Sequence, residues 1–260
     1  MKIVTLIENT TSRPDLQYEH GLSLYIEACG QKLLFDTGAS GAFADNAWLM
    51  GIDLAQVDQA VLSHGHDDHS GGFLRFLEAN QKAPIWLRPE ALLPCHGSSG
   101  DYIGLAPALQ KSDRLRFAAD IQRIAKGLTL YSCNQLEAFV PIDSAGLTVR
   151  TGEALVPDTF RHEQYLLIEE NGKRVLISGC SHKGILNIAR WFRPDVIVGG
   201  FHYMRVDPRD PRLTQSAQTL LAYPTVYYTG HCTGQAQYDV MKEKMKDRLH
   251  SLSTGVTIEI

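Results

Sequence analysis

The sequence predicts an α/β fold with its chemistry at the ends of strands. Three observations predict it. Short β-branched or apolar runs alternate with helical stretches along most of the chain. Turn residues punctuate those runs. Histidine, cysteine and aspartate recur just past the strands, at Asp36, in the 64–69 stretch, and at Cys180, His182, His202 and His231. Side chains at strand ends can converge on one rim of a sheet, where rigid strands hold loop-borne groups in place.

Lys2–Ile7, Leu22–Ala28 and Lys32–Phe35 read as strands, with Ala28-Cys29-Gly30-Gln31 as a hairpin turn between the last two. Asp36-Thr37-Gly38 leads into a helix from about Gly41 to Met50. The strand Val57–Leu62 runs into Ser63-His64-Gly65-His66-Asp67-Asp68-His69, and a helix over Ser70–Asn80 puts Phe73, Phe76 and Leu77 on one face. Ile85–Leu87 is a short strand. Residues 88–149 differ in character. Proline, glycine and serine crowd Pro94–Gly100, and only weak strand signals follow at Gly127–Ser132 and Ala138–Ile142. The expectation is an inserted lid or small α+β subdomain at 88–149, interrupting a catalytic domain made of 1–87 and 150–260. The alternative is a long irregular surface excursion. Beyond it, Gln164–Glu169 and Arg174–Ile177 form a hairpin around Asn171-Gly172. Helices follow at Ile185–Trp191, Leu213–Ala222 and Ala236–Arg248, and strands at Asp195–Val198, Thr225–Thr229 and Val256–Ile260.

Composition narrows the function. In 260 residues, 44% are hydrophobic and 21% charged, which excludes wholesale disorder. The net charge of -4 disfavours nucleic acid as a partner, because phosphate binders carry a basic surplus. No apolar run reaches the roughly 18–20 residues that span a bilayer, and Met1–Glu8 reads as a strand rather than a signal peptide. Five cysteines without a CxxC pair are no disulfide scaffold, so the expectation is a reducing, cytoplasmic setting and a small-molecule substrate. The sequence leaves the oligomeric state open.

His64-x-His66-x-Asp68-His69 carries the strongest signal. Residues i and i+2 of an extended stretch point the same way, so His64 and His66 can share one metal. Asp68 and His69, at the start of the next helix, turn away and can serve a second. Hydrolytic metal pairs sit about 3.5–4 Å apart and share a water. Imidazole with carboxylate suits zinc best, and iron or manganese are compatible. A chance run of polar loop residues is a poor account of three histidines and an aspartate in six positions.

These residues resemble the H-x-H-x-D-H signature of the metallo-β-lactamase superfamily. Leu33-Leu34-Phe35-Asp36-Thr37-Gly38 looks like its first motif, and Gly230-His231 like its last. The match extends to the branch of dihydropterin-aminobenzene phosphate synthase-like metal-dependent hydrolases. Gly179-Cys180-Ser181-His182, Gly199-Gly200-Phe201-His202 and His231-Cys232-Thr233-Gly234 look like the GCSH, GGFH and HCTG stretches of that branch, as do Thr151-Gly152-Glu153 and Glu163-Gln164. The resemblance implies an αββα four-layer sandwich with two divalent ions at one edge. It implies His64, His66, Asp68, His69 and His231 as metal ligands. Asp36 becomes an anchor that accepts the other N–H of a ligating imidazole, against the alternative of a helix cap.

The chain departs from the superfamily pattern after the strand Arg174–Ile177. Most members carry a bridging aspartate there, whereas this strand runs into Ser178-Gly179-Cys180. Either Cys180 supplies a thiolate, or His182 is the ligand and Cys180 packs as a small apolar residue. His162 is a third candidate for the missing histidine. His202 is expected to face substrate as an electrophile or general acid, against a satisfied strand-end histidine. Cys232 reads as structural. Lys183 and Arg205 are weaker candidates for an anionic substrate, against solvated cations.

The favoured reading is a binuclear hydrolase. A metal-bound hydroxide, held by Asp68, attacks a small, anionic ester or phosphoester, and His202 faces the developing charge. The branch resemblance supplies an alternative, a pterin-type transferase. An iron redox protein and a non-catalytic binding module are lesser alternatives.

Overall fold

The computed structural model describes residues 1–260. Alternating burial along each strand builds two sheets around a shared interior. In Ser23–Ala28, Leu24, Ile26 and Ala28 point into the space between the sheets, whereas Tyr25 points outward. Leu166 and Ile168 of Tyr165–Glu170 meet them from the opposite sheet, and Tyr165 and Leu167 face away.

The first sheet runs Thr257–Glu259, Lys2–Ile7, Ser23–Ala28, Gln31–Phe35, Gln59–Val61, Ile85–Leu87 and Leu115–Phe117 in spatial order. The second runs Leu249–Ser251, Val226–Thr229, Val196–Val198, Lys173–Ile177, Tyr165–Glu170, Leu128–Tyr131 and Ile121–Ala125. Helices Ala42–Leu49 and Phe73–Ala79 cover the outer face of the first sheet. Ile185–Phe192, Pro211–Leu221 and Gln235–Met245 cover the second. This is the expected αββα sandwich. Both faces of each sheet are buried, so the strands read as apolar runs.

The parallel pairings position the site. Gln31–Phe35 pairs parallel with Gln59–Val61, and Lys173–Ile177, Val196–Val198 and Val226–Thr229 are mutually parallel neighbours. Asp36, Cys180, His202 and His231 therefore follow strands whose carboxyl ends share a rim in each sheet.

The 88–149 segment is not the single inserted unit that was expected. Leu115–Phe117 extends the first sheet beside Ile85–Leu87, while Ile121–Ala125 and Leu128–Tyr131 form a hairpin that extends the second. Leu115–Phe117 and Ile121–Ala125 are short edge strands with half-exposed residues, so no apolar run announces them. Cys95–His96, near the start, lies outside the main sheets, pairing with the hairpin Thr148–Thr151 and Ala154–Pro157. Ala138–Ile142 is not a strand. The Val140 N–H and C=O are satisfied by the Asn187 side chain instead of a neighbouring strand. No helix is long and apolar enough to cross a membrane.

Candidate metal centre

Asp36 organises the centre from beneath. It is fully buried and sits at φ 58°, a conformation that non-glycine residues adopt mainly where surrounding structure enforces it. Its Oδ1 accepts the Ser63 N–H at 2.7 Å, and its Oδ2 accepts from Ser63 Oγ and His69 Nδ1, each at 2.7 Å. Ser63 Oγ has spent its hydrogen on Asp36, so at 2.7 Å it accepts from His64 Nδ1. One carboxylate thus orients two rings, turning the Nε2 atoms of His64 and His69 into the centre. The expected anchor role matches this geometry, and the helix-cap alternative does not: the next helix has no side-chain cap.

Asn9 does the same for His231. Its Oδ1 accepts the Gly21 N–H at 3.3 Å, which identifies the oxygen, so His231 Nδ1 donates to it at 2.9 Å. Asn9 escaped sequence reasoning, although it lies just past a strand like the residues that were found. Backbone strain recurs at the rim, with Ser181 at φ 59°, His202 at 56° and His231 at 48°.

Several donor groups overlap here, and two of them gather the residues past the strand ends. His64, His66 and His182 offer ligand atoms within 4.8 Å of one another. Their ring centroids lie 4.6–4.9 Å apart. In the second group, His69 Nε2 lies 3.1 Å from His231 Nε2 and 3.2 Å from Cys180 Sγ. Asp68 Oδ2 lies 3.2 Å from His231 Nε2 and 3.9 Å from His69 Nε2. Both sides of the Cys180/His182 alternative therefore reach the centre, the thiol in one group and the imidazole in the other. The groups adjoin, because His64 also lies within reach of His69 and Cys180.

The donor set fits divalent cations. His64 Nε2, His66 Nε2 and both ring nitrogens of His182 are buried without a hydrogen-bond partner. Each such buried group costs about 1–3 kcal/mol if left unpaired. Nitrogen, carboxylate and thiolate at these spacings suit zinc, iron or manganese.

Electrostatics follow burial. Burial, reinforced by the neighbouring imidazoles, holds His64 and His182 well below the ordinary histidine range. Burial lowers His66 to about 3 and His231 to about 4. These rings are neutral at pH 7, as ligation requires. His69 is the exception: burial would lower it, but Asp68 and Asp36 outweigh burial and raise it to about 9. Burial raises the Cys180 thiol well above its ordinary range, with Cys232 adding to the effect. Cys232 donates to the Cys180 carbonyl at 3.5 Å, consistent with a structural role.

Other candidates fall elsewhere. His202 lies beside the three-histidine group, its ring 4.3 Å from that of His182. Arg205 donates to Ser98 Oγ at 3.0 Å. Lys183 does not reach a substrate position. Its side chain is buried, and Nζ donates to the carbonyls of Ser132 at 2.7 Å and Glu163 at 3.1 Å. Those carbonyls arrive from distant segments, which no local pattern signals. His162 lies apart from the His64/His66/His182 group: Nδ1 accepts the Gly65 N–H at 3.0 Å, Nε2 faces Asp158 Oδ2 at 2.9 Å, and it clusters with His66, Cys95 and Asp158. His20, unnoticed in the sequence, places Nε2 3.4 Å from Asp68 Oδ2.

A family model described as the metallo-beta-lactamase superfamily matches residues 18–231. The chain belongs to that superfamily. A superfamily structure described as Tm1679, a metal-dependent hydrolase, aligns with TM-score 0.86 at 27% identity, covering 100% of this chain and 99% of that one. The chain is also 26% identical to 7,8-dihydropterin-6-methyl-4-(beta-D-ribofuranosyl)-aminobenzene-5'-phosphate synthase of Methanocaldococcus jannaschii, covering 100% of this chain and 96% of the relative. Zn(2+)-bound PqqB from Methylobacterium extorquens shares the superfamily fold at TM-score 0.60 and 13% identity, covering the whole of both chains.

Proposed function

We propose that this protein is a binuclear metal-dependent hydrolase of small, anionic esters or phosphoesters. The observation that carries the reading is the set of buried, unpartnered nitrogens on His64, His66 and His182 beside the acceptors of His69, His231, Asp68 and Cys180. The three-histidine group would hold one ion, and Asp68, His69, His231 and Cys180 a second, with zinc favoured and iron or manganese compatible. Such ions would supply a water activated near neutral pH and polarise an oxygen on the carbon or phosphorus under attack.

The chain's own residues do the rest. Asp36 and Asn9 hold the imidazoles in the ligating tautomers. The Asp68 side chain is 21% exposed, and against the effect of burial His69 and His231 hold its carboxyl well below the usual carboxylate range, so it would stay ionised and accept a hydrogen bond that orients the nucleophile. Burial, with Arg205 adding to it, lowers His202 to about 4, so a neutral ring meets the substrate oxygen as a hydrogen-bond donor. Arg205 supplies positive charge beside it. Five unpaired cysteines support a cytoplasmic setting.

The test is hydrolysis of a panel of phosphodiesters, phosphomonoesters and carboxylate esters by zinc- and manganese-loaded protein. Metal-dependent turnover that His66→Ala abolishes is expected. A fully loaded protein inert towards the whole panel would overturn the reading. A second reading is favoured by the full-length likeness to the methanogen synthase: a pterin-type transferase. Diphosphate release from a dihydropterin diphosphate, with the pterin joined to an aminobenzene acceptor and only when that acceptor is present, would select it.

A further inference from the structure

We propose that the segment Asp158–Gln164 is a positioning brace, in which His162 and Glu163 set the metal affinity of the three-histidine group without touching the ion. The inference rests on the proposed ligation by His64, His66 and His182. Those ligands come from two sheets: His64 and His66 follow Gln59–Val61 in the first, and His182 follows Lys173–Ile177 in the second. The two sheets pack through their shared apolar interior without strand pairing, so hydrogen bonds between loops add directional register at the rim.

Asp158–Gln164 grips both loops. Towards the first, His162 Nδ1 accepts the Gly65 N–H at 3.0 Å. Gln164 N donates to Ser63 O at 2.8 Å, and Gln164 Nε2 donates to Leu62 O at 2.8 Å. Towards the second, Glu163 Oε1 accepts the His182 N–H at 2.7 Å, and Oε2 accepts the Lys183 N–H at 3.0 Å. The Phe160 ring also stacks on His182, with centroids 4.4 Å apart and planes 13° from parallel.

The brace is itself fixed. Asp158 Oδ1 accepts the Phe160 N–H at 2.7 Å, and Asp158 Oδ2 takes the Nε2 hydrogen of His162 at 2.9 Å. That contact makes His162 Nδ1 the acceptor that Gly65 needs. Gly65 lies between two of the ligands, so the direction of its N–H governs how the rings of His64 and His66 face each other. A side chain there would meet Ala91 O at 2.9 Å, which leaves the turn no slack. Both nitrogens of His162 are engaged, so its part is positional.

Cobalt(II) titration followed by visible absorption tests this on wild type, His162→Ala and His162→Asn, with His66→Ala as the reference for the other ion alone. Asparagine can offer an oxygen close to where Nδ1 stands. In His162→Ala the three-histidine group should bind cobalt about 10- to 100-fold more weakly, with the other ion unaffected. His162→Asn should recover most of the affinity and the wild-type spectrum. Wild-type affinity in His162→Ala would overturn the brace. So would a His162→Asn as weak as the alanine variant when both metal-free proteins melt like wild type. A wild type whose titration matches His66→Ala would instead bring down the proposed ligation, and the inference with it.

Discussion

The Nε2 atoms of His69 and His231 stand 3.1 Å apart, and each ring directs its Nδ1 hydrogen elsewhere, His69 to Asp36 and His231 to Asn9. Neutral rings so arranged aim lone pairs at each other, with Asp68 Oδ2 and Cys180 Sγ alongside. Only a cation makes that meeting favourable. In the metal-free chain it is a proton on His69; in the loaded chain it is a divalent ion. The competition between the two has measurable consequences.

Metal-free stability should peak near pH 6.5. His69 is raised from 6.5 to about 9, so its contribution is complete below the unfolded value and fades as pH rises through about 9. His66 and His231 are depressed to about 3 and about 4, so stability also falls as pH drops below 6.5 and the unfolded chain takes up protons that they refuse. Melting curves of chelator-treated protein between pH 5 and 9 check this. A melting temperature that climbs steadily towards pH 9 would contradict it.

Metal binding should release protons, and Cys180 should supply one of them. Its thiol is held protonated at neutral pH by burial, with Cys232 adding to the effect, so ligation as a thiolate expels a proton. Calorimetry in buffers of different ionisation enthalpy counts the release. Cys180→Ser should release about one proton fewer than wild type. Equal counts would leave the second ion to Asp68, His69 and His231 alone.

Asp36→Asn should weaken both ions. An amide offers one acceptor oxygen where the carboxylate meets the Ser63 N–H, Ser63 Oγ and His69 Nδ1, and its NH2 opposes a donor. A loss of about 1–3 kcal/mol in stability and about 10- to 100-fold in metal affinity is expected. Denaturant melts and metal titration measure the two losses. Wild-type affinity in this variant would show that the imidazoles orient without the anchor.

Most of the candidate centre was legible in the sequence because its residues obey one local rule, a polar residue just past a parallel strand. Asp36, His64, Cys180, His182, His202 and His231 all satisfy it. The Cys29-Gly30 turn was legible too, and both residues adopt the positive φ that a tight hairpin demands, 55° and 72°. What stayed hidden depends on distant segments meeting. The burial of Lys183 depends on the carbonyl of Ser132, 51 residues away, and Gly65 meets His162 across 97 residues. The edge strand Leu115–Phe117 carries a half-exposed pattern that no periodicity separates from a loop.

Elemental analysis of protein purified anaerobically without added metal, on wild type and His66→Ala together, tests the central claim most directly. The account predicts about two equivalents in wild type and about one in His66→Ala, with the variant still folded. One equivalent or fewer in wild type, or equal content in both proteins, would contradict a binuclear centre built on His66.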